Sequence, residues 1–237
     1  MSSATWTPRA VGSEAHAVRL ALWRAVEAQH VAATRALVDD LAQQEVLEEI
    51  LESAKPPLPA AAGRLDYLLY TPFRYAPSLS GSRFRAPDDP GVWYGAEAMR
   101  TSCAELGYWR WRFVHDSHGL TRLDAVPHTL FQAQVIGDAV DLRLAPFRRE
   151  RALWSHPVDY GPCQRLARSV RQAGVQLIRY ASVRDPLHAG CAAVLDWRVF
   201  LGGIRQRQTW FLTIDPLHAS WVRAGGARRE QFEFSFA

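Results

Sequence analysis

From Val175 onward the chain is a series of strand-like runs, VQLIRYAS, CAAVLDWRVFL, TWFLTID, SWVRA and QFEFSFA, separated by short turn-forming segments. A doubly wound parallel sheet requires a helix of roughly 10–15 residues between successive strands, and no such spacing exists here. Upstream, HTLFQAQVI and VDLRL read as further strands, and Pro162 to Gly174 reads as a helix with proline near its start and glycine at its end. The pattern predicts a mixed, largely antiparallel α+β domain.

The first quarter of the chain reads differently. Residues 14–54 carry Leu22, Val26, Ala33, Leu37, Leu41, Leu47 and Leu51 at spacings near three and four, which predicts helix, with a break available at Asp39-Asp40. Lys55-Pro56-Pro57-Leu58-Pro59 ends that pattern, because prolines lack a donor and force their predecessors out of helical space. The expected organisation is a helical extension and linker over 1–60 and the α+β domain over 61–237. Residues 63–95 read as short strands and turns. Helical character returns from Glu97 to His115, with Met99, Cys103, Leu106, Trp109 and Phe113 as the inward stripe.

Composition narrows the function classes. With 48% apolar residues over 237, the chain can bury a sizeable core, and no apolar run approaches the ~20 residues of a membrane-spanning helix. The N-terminus lacks a signal-like apolar stretch, so a soluble, cytoplasmic protein without membrane contact is expected. Cys103, Cys163 and Cys191 are far apart and read as reduced core residues. The net charge of +4 is modest, and Arg148-Arg149-Glu150-Arg151 accompanies no nucleic-acid motif, so direct nucleic-acid binding is not expected. His115 and His118 have a two-ligand spacing but no third ligand, and no metal is expected.

Residues 81–105, GSRFRAPDDPGVWYGAEAMRTSCAE, hold the densest set of chemically useful groups. On an extended SRFR segment, Arg83 and Arg85 would share one face, and a guanidinium grips phosphate oxygens bidentately. Paired strand arginines also commonly line a solvated face. Arg74, in TPFRY, is a similar candidate. Tyr94 could present its hydroxyl to a ribose or remain a core aromatic. Glu105 has Thr101, Ser102, Tyr108 and Trp109 as helical neighbours, with no basic residue to make the usual surface pair. Such a carboxylate could stabilise positive charge on a sugar carbon, or sit solvated at the stripe's edge. Ser182 follows a strand beside Arg179, Arg184 and Asp185. No GxSxG surrounds it, so it reads as a phosphate- or amide-binding group or as a turn serine.

In order and spacing, GSRFR, GVWYGA, the TSCAE helix and RYASVRDP followed by CAAVLDW resemble the RES domain, named for its arginine, glutamate and serine. The resemblance runs from about Gly63 to Leu201 and takes in DYGPCQRLARSVRQAG. It implies an ADP-ribosyltransferase-like fold and an NAD⁺-consuming, toxin-like activity, either phosphorolysis or hydrolysis of the nicotinamide–ribose bond. One branch of the family transfers ADP-ribose to protein, and a noncatalytic nucleotide-binding module is the alternative from another class. By motif position the family arginine, tyrosine, glutamate and serine fall on Arg83, Tyr94, Glu105 and Ser182. Arg74 stands as an additional arginine and Arg85 as a helper in the clamp. NAD⁺ would be a substrate rather than a prosthetic group, with inorganic phosphate as candidate co-substrate. A helix-turn-helix antitoxin encoded nearby, or a second copy of the chain, would be the partner. The chain departs from small toxins of the family in having GSRFR for a GGRFN-like segment and in its N-terminal addition.

Overall fold

The computed structural model describes residues 6–28, 40–53, 65–74, 81–225 and 230–236. Chain order is α1 (Pro8–Ser13), β1 (His16–Glu27), α2 (Leu41–Ser53), α3 (Tyr67–Arg74), β2 (Trp93–Ala96), α4 (Met99–Asp116) and β3 (Leu123–Asp141). A 3₁₀ turn (Phe147–Glu150) follows, then α5 (Arg151–Trp154), α6 (Gly161–Gln172), β4 (Leu177–Ala181), β5 (Gly190–Val194), a second 3₁₀ turn (Trp197–Val199), β6 (Arg205–Ile214), β7 (His218–Arg223) and β8 (Gln231–Ser235). Among the described residues no helix is long and apolar enough to cross a membrane.

The strands form one eight-stranded sheet in the order β1-β2-β5-β4-β3-β6-β7-β8, and β1 also pairs with β3. The pairings β1–β2–β5–β4–β3–β1 therefore return on themselves, while β6 to β8 extend from the first half of β3. Only β3–β4 runs parallel among these pairs, so the expected α+β class with mostly antiparallel pairing holds.

The helical expectation for residues 14–54 holds over Leu41–Ser53 and fails over His16–Glu27, which is a twelve-residue strand. Val18, Leu20 and Leu22 alternate, and all pack on the core formed with Trp93, Phe131 and Leu177. Leu22 and Val26 fit a helical period equally well. Pairing decides between them: every residue from His16 to Glu27 faces a β3 residue, from Ala139 to His128, and such a ladder overrides local propensity. This strand belongs to the same sheet as the C-terminal strands. Ala33, Leu37 and the Pro56–Pro59 segment lie outside the described residues.

Two further corrections concern helices. Tyr67–Arg74 is helical rather than strand or turn, started by Asp66, whose Oδ1 accepts the Leu68 N–H at 2.9 Å, and fixed by burial of Leu68 and Leu69. In α4 the inward face is Thr101, Ser102, Cys103, Ala104, Gly107 and Val114, while Trp109 and Phe113 are 49% and 57% exposed. Small residues win that face because the helix lies tight on β7: a Cβ on Gly107 would meet Ala219 Cβ and Trp221 Nε1 at 3.2 Å. Rotated this way, α4 brings Glu105 into one cleft with Gly95 and Ala96 of β2 and Cys191 of β5.

Candidate active site

Where β1, β2, β5 and α4 meet, a cleft of about 490 Å³ opens, lined by Arg24, Arg83, Tyr94, Glu105, Tyr160 and Arg184 among others. That volume lies in the usual range of small-molecule sites. The side chains come from six separate parts of the chain.

Arg83 reaches the cleft through a tight turn. Ser82 and Arg85 exchange backbone hydrogen bonds of 2.7 and 3.2 Å, so SRFR folds back instead of extending. The turn buries Phe84 completely, directs Arg83 to the cleft and turns Arg85 aside, where its Nε donates to the Asp89 carbonyl at 3.3 Å. Arg83 and Arg85 therefore do not share a face. Arg74 ends α3 and is not among the residues lining the cleft.

Tyr94 lends its ring to the cleft wall and its hydroxyl to that turn. Its oxygen accepts the Phe84 N–H at 3.0 Å and lies 2.7 Å from Ser82 Oγ. Burial pushes the phenol up to about 12, so it stays neutral. Gly95 cannot be replaced without cost, since a Cβ there would sit 2.4 Å from the Trp93 ring.

Glu105 and Ser182, 77 residues apart, are joined by a 2.5 Å hydrogen bond from Ser182 Oγ to Glu105 Oε1. The same oxygen of Ser182 accepts the N–H groups of Arg184 at 3.2 Å and Asp185 at 2.9 Å. A hydroxyl has one donor and two acceptor positions, so that of Ser182 is saturated by the protein. It holds Glu105 and is not among the groups lining the cleft. One helical turn earlier, Thr101 Oγ1 donates to the buried Asp185 at 2.8 Å, and Arg100 pairs with the same carboxylate. Thr101 and Glu105 thus grip the 182–185 loop at two points on one face of α4. Burial raises the Glu105 carboxyl above its ordinary range, and the Ser182 bond and the charges of Arg83 and Arg184 only partly oppose this.

Arg24, Tyr160 and Arg184 were not among the ligand-site residues expected from sequence. Arg24 stands on β1, 5.1 Å from the Trp93 ring centroid, with Nη1 buried and without a hydrogen-bond partner among the described residues. Burial pulls its guanidinium down to about 10, where it remains charged at neutral pH. Arg184 lies 3.7 Å over the Tyr108 ring and donates through Nη2 to the Pro157 carbonyl at 2.5 Å. The available sequence signals were the alternation around Arg24 and the adjacency of Arg184 to Ser182. Arg179 faces elsewhere and pairs with Glu97 and Asp141. His115 stacks on Trp111 at 5.1 Å, and among the described residues no three His, Cys, Asp or Glu side chains gather as a metal site.

The RES domain family model matches residues 58–215. The chain belongs to the RES domain family. Its RES region carries Arg83, Tyr94, Glu105, Tyr160, Ser182 and Arg184, whereas β1 and Arg24 precede the matched span. No curated protein matches the chain. A chain of the crystal structure of the M. tuberculosis MbcT–MbcA toxin–antitoxin complex is similar in fold, at 12% identity and a TM-score of 0.50, over 88% of this RES protein and 92% of that chain.

Proposed function

We propose that the cleft binds NAD⁺ and cleaves its nicotinamide–ribose bond, with inorganic phosphate or water as acceptor. The observation that carries this reading is that, among the described residues, a single carboxylate, Glu105, fixed by Ser182, is set in a cleft whose other charged groups are Arg24, Arg83 and Arg184. Three guanidiniums suit the pyrophosphate of a dinucleotide, which is planar-fork chemistry. One ionised carboxylate suits a sugar carbon becoming cationic.

In this mechanism the C1″–N bond breaks and its electron pair goes to the pyridinium nitrogen, which leaves as neutral nicotinamide. Glu105, ionised, stabilises the oxocarbenium-like state. An oxygen of phosphate or water forms the new bond to C1″, and for water a proton is released to solvent. Ser182 keeps Glu105 in place instead of contacting the ligand, and Tyr94 fixes the turn that carries Arg83.

Pure protein incubated with NAD⁺, with and without phosphate, tests the reading by mass spectrometry. Phosphorolysis yields ADP-ribose 1″-phosphate, hydrolysis yields ADP-ribose, and transfer to protein leaves a covalent adduct. Absence of nicotinamide release in both conditions refutes it. Membership of the RES family and the likeness to a toxin–antitoxin complex support a toxin role with an antitoxin partner. Growth arrest on expression, relieved by Glu105→Gln or by co-expression of the adjacent gene, is the corresponding test.

A further inference from the structure

We propose that Tyr160 is a positioning residue that fixes the arginine fork of the cleft through its ring face; this rests on the NAD⁺ reading above. Tyr160 stands immediately before α6 and lines the cleft. The Arg83 guanidinium carbon lies 4.6 Å from the Tyr160 ring centroid, within cation–π range. Arg83 Nη1 also donates to the carbonyls of Trp154 at 2.9 Å and His156 at 3.0 Å. Arg184 Nη2 donates to the Pro157 carbonyl, and at 3.4 Å it reaches the Tyr160 hydroxyl. One short segment, residues 154–160, thus holds two of the three cleft arginines.

That segment is stiffened from within. His156 Nδ1 accepts the N–H groups of Asp159 at 2.7 Å and Val158 at 3.3 Å, so that nitrogen carries no proton. Asp159 Oδ1 accepts the Gly161 N–H at 2.9 Å. The hydrogen bonds to Arg83 and Arg184 engage one nitrogen of each fork. None of the acceptors is ionised, so none cancels the positive charge. An incoming phosphoryl group therefore meets guanidiniums whose planes are already set and whose hydrogen bonds here go to carbonyls and not to a carboxylate, which reduces the ordering cost of binding. The ring face meets Arg83 well inside cation–π range, whereas both contacts of the Tyr160 hydroxyl, with Arg184 Nη2 and with the Pro157 carbonyl, are 3.4 Å and long for hydrogen bonds. The ring face, not the phenol, is the positioning element.

The prediction is a split between binding and chemistry, read from nicotinamide release by the full chain. Tyr160→Leu raises KM for NAD⁺ roughly three- to tenfold, as expected from loss of a partly buried cation–π contact, with kcat within about twofold. Tyr160→Phe, which keeps the ring, restores KM to within about twofold of the parent. Adding one and then three fluorines to the ring of the Tyr160→Phe protein withdraws charge from the face at nearly constant size, and KM rises in that order. The fluorinated series stands even if Tyr160→Leu fails to fold. A flat KM across the series, or Tyr160→Phe as impaired as Tyr160→Leu, overturns the assignment while the NAD⁺ reading stands. A parent protein that releases no nicotinamide removes both.

Discussion

Glu97 and Glu105 flank the start of α4, and their surroundings have opposite effects. Glu97 lies in a cluster with Asp141, Arg143 and Arg179. Arg143 holds Asp141 with two bonds of 2.8 and 2.7 Å, and Arg179 holds Glu97 with bonds of 3.1 and 2.7 Å. Burial would push both carboxyls up, but the guanidinium bonds outweigh it and hold both below their ordinary range. A Cβ on Gly190 would lie 2.3 Å from Arg143 Nη1 and Glu97 Oε2, so the cluster packs directly over that glycine. In the cleft, by contrast, Glu105 rests on a hydroxyl, Arg83 and Arg184 rest on carbonyls and rings, and Arg24 Nη1 has no hydrogen-bond partner among the described residues. Charges that neutralise one another tie elements together. Charges held by neutral dipoles keep their field for something that arrives from outside.

The sharpest break of this contrast is Glu105→Gln. It should lower NAD⁺ cleavage by roughly 10²–10³-fold, while the melting temperature at pH 7 stays level or rises because a desolvated charge is gone. Glu97→Gln should do the reverse, costing about 1–3 kcal/mol of stability in denaturant titrations once partial solvent screening is allowed for. Activity per folded molecule should be largely kept. An active Glu105→Gln protein, or one destabilised as much as Glu97→Gln, would erase the distinction.

Ser182→Ala sharpens it further. Removing a saturated hydroxyl leaves two N–H groups and Glu105 short of a partner, at a cost of about 1–3 kcal/mol. Without that bond the Glu105 carboxyl climbs further, so the acid limb of the kcat/KM profile should move to higher pH with little change in KM for NAD⁺. Arg24→Met should raise that KM about tenfold, worth ~1.4 kcal/mol. Stability should hold or improve, because a buried, unpartnered guanidinium nitrogen is removed. An Arg24→Met protein that binds NAD⁺ normally would place Arg24 with the structural charges.

The smallest expected effect is in melting against pH. Glu105 has its folded pKa above its unfolded one, so its penalty is absent below the unfolded value and grows as pH rises toward the folded value. The gap between parent and Glu105→Gln should therefore widen from pH 4 upward. For Glu97 and Asp141 the folded pKa is depressed, so their stabilisation is present above the unfolded value and is lost as pH falls through the folded one. The gap between parent and Glu97→Gln should close on acidification.

Local pattern revealed α4, α6 and the strands from β4 to β8, because each carries its own period and its own stop signals. It failed at β1, where HAVRLALWRAVE satisfies both periods and the deciding partner lies about a hundred residues away. For the cleft, Arg83, Tyr94 and Glu105 were legible as residue types in a recurring order. The fate of Arg85 was not, since one tight turn at Ser82–Arg85 replaced the extended geometry that would have put it beside Arg83. Nor was the role of Ser182, whose bond to Glu105 forms where Thr101 and Arg100 also dock the 182–185 loop on α4. Tyr160 was invisible for the same reason: it meets the cleft by tertiary placement alone.

The pairing of β1 with β3 sets a schedule for biosynthesis. The strand carrying Arg24 leaves the ribosome about a hundred residues before its partner, a wait of roughly 5–20 seconds at ordinary elongation rates. Arg184 and β5 emerge later still. Until then the nascent chain holds neither a closed ring of strands nor an assembled cleft, so a translation product interrupted before β5 lacks the complete site. The same dependence predicts that a fragment beginning where the family match begins loses both a strand of the sheet and a cationic wall of the cleft.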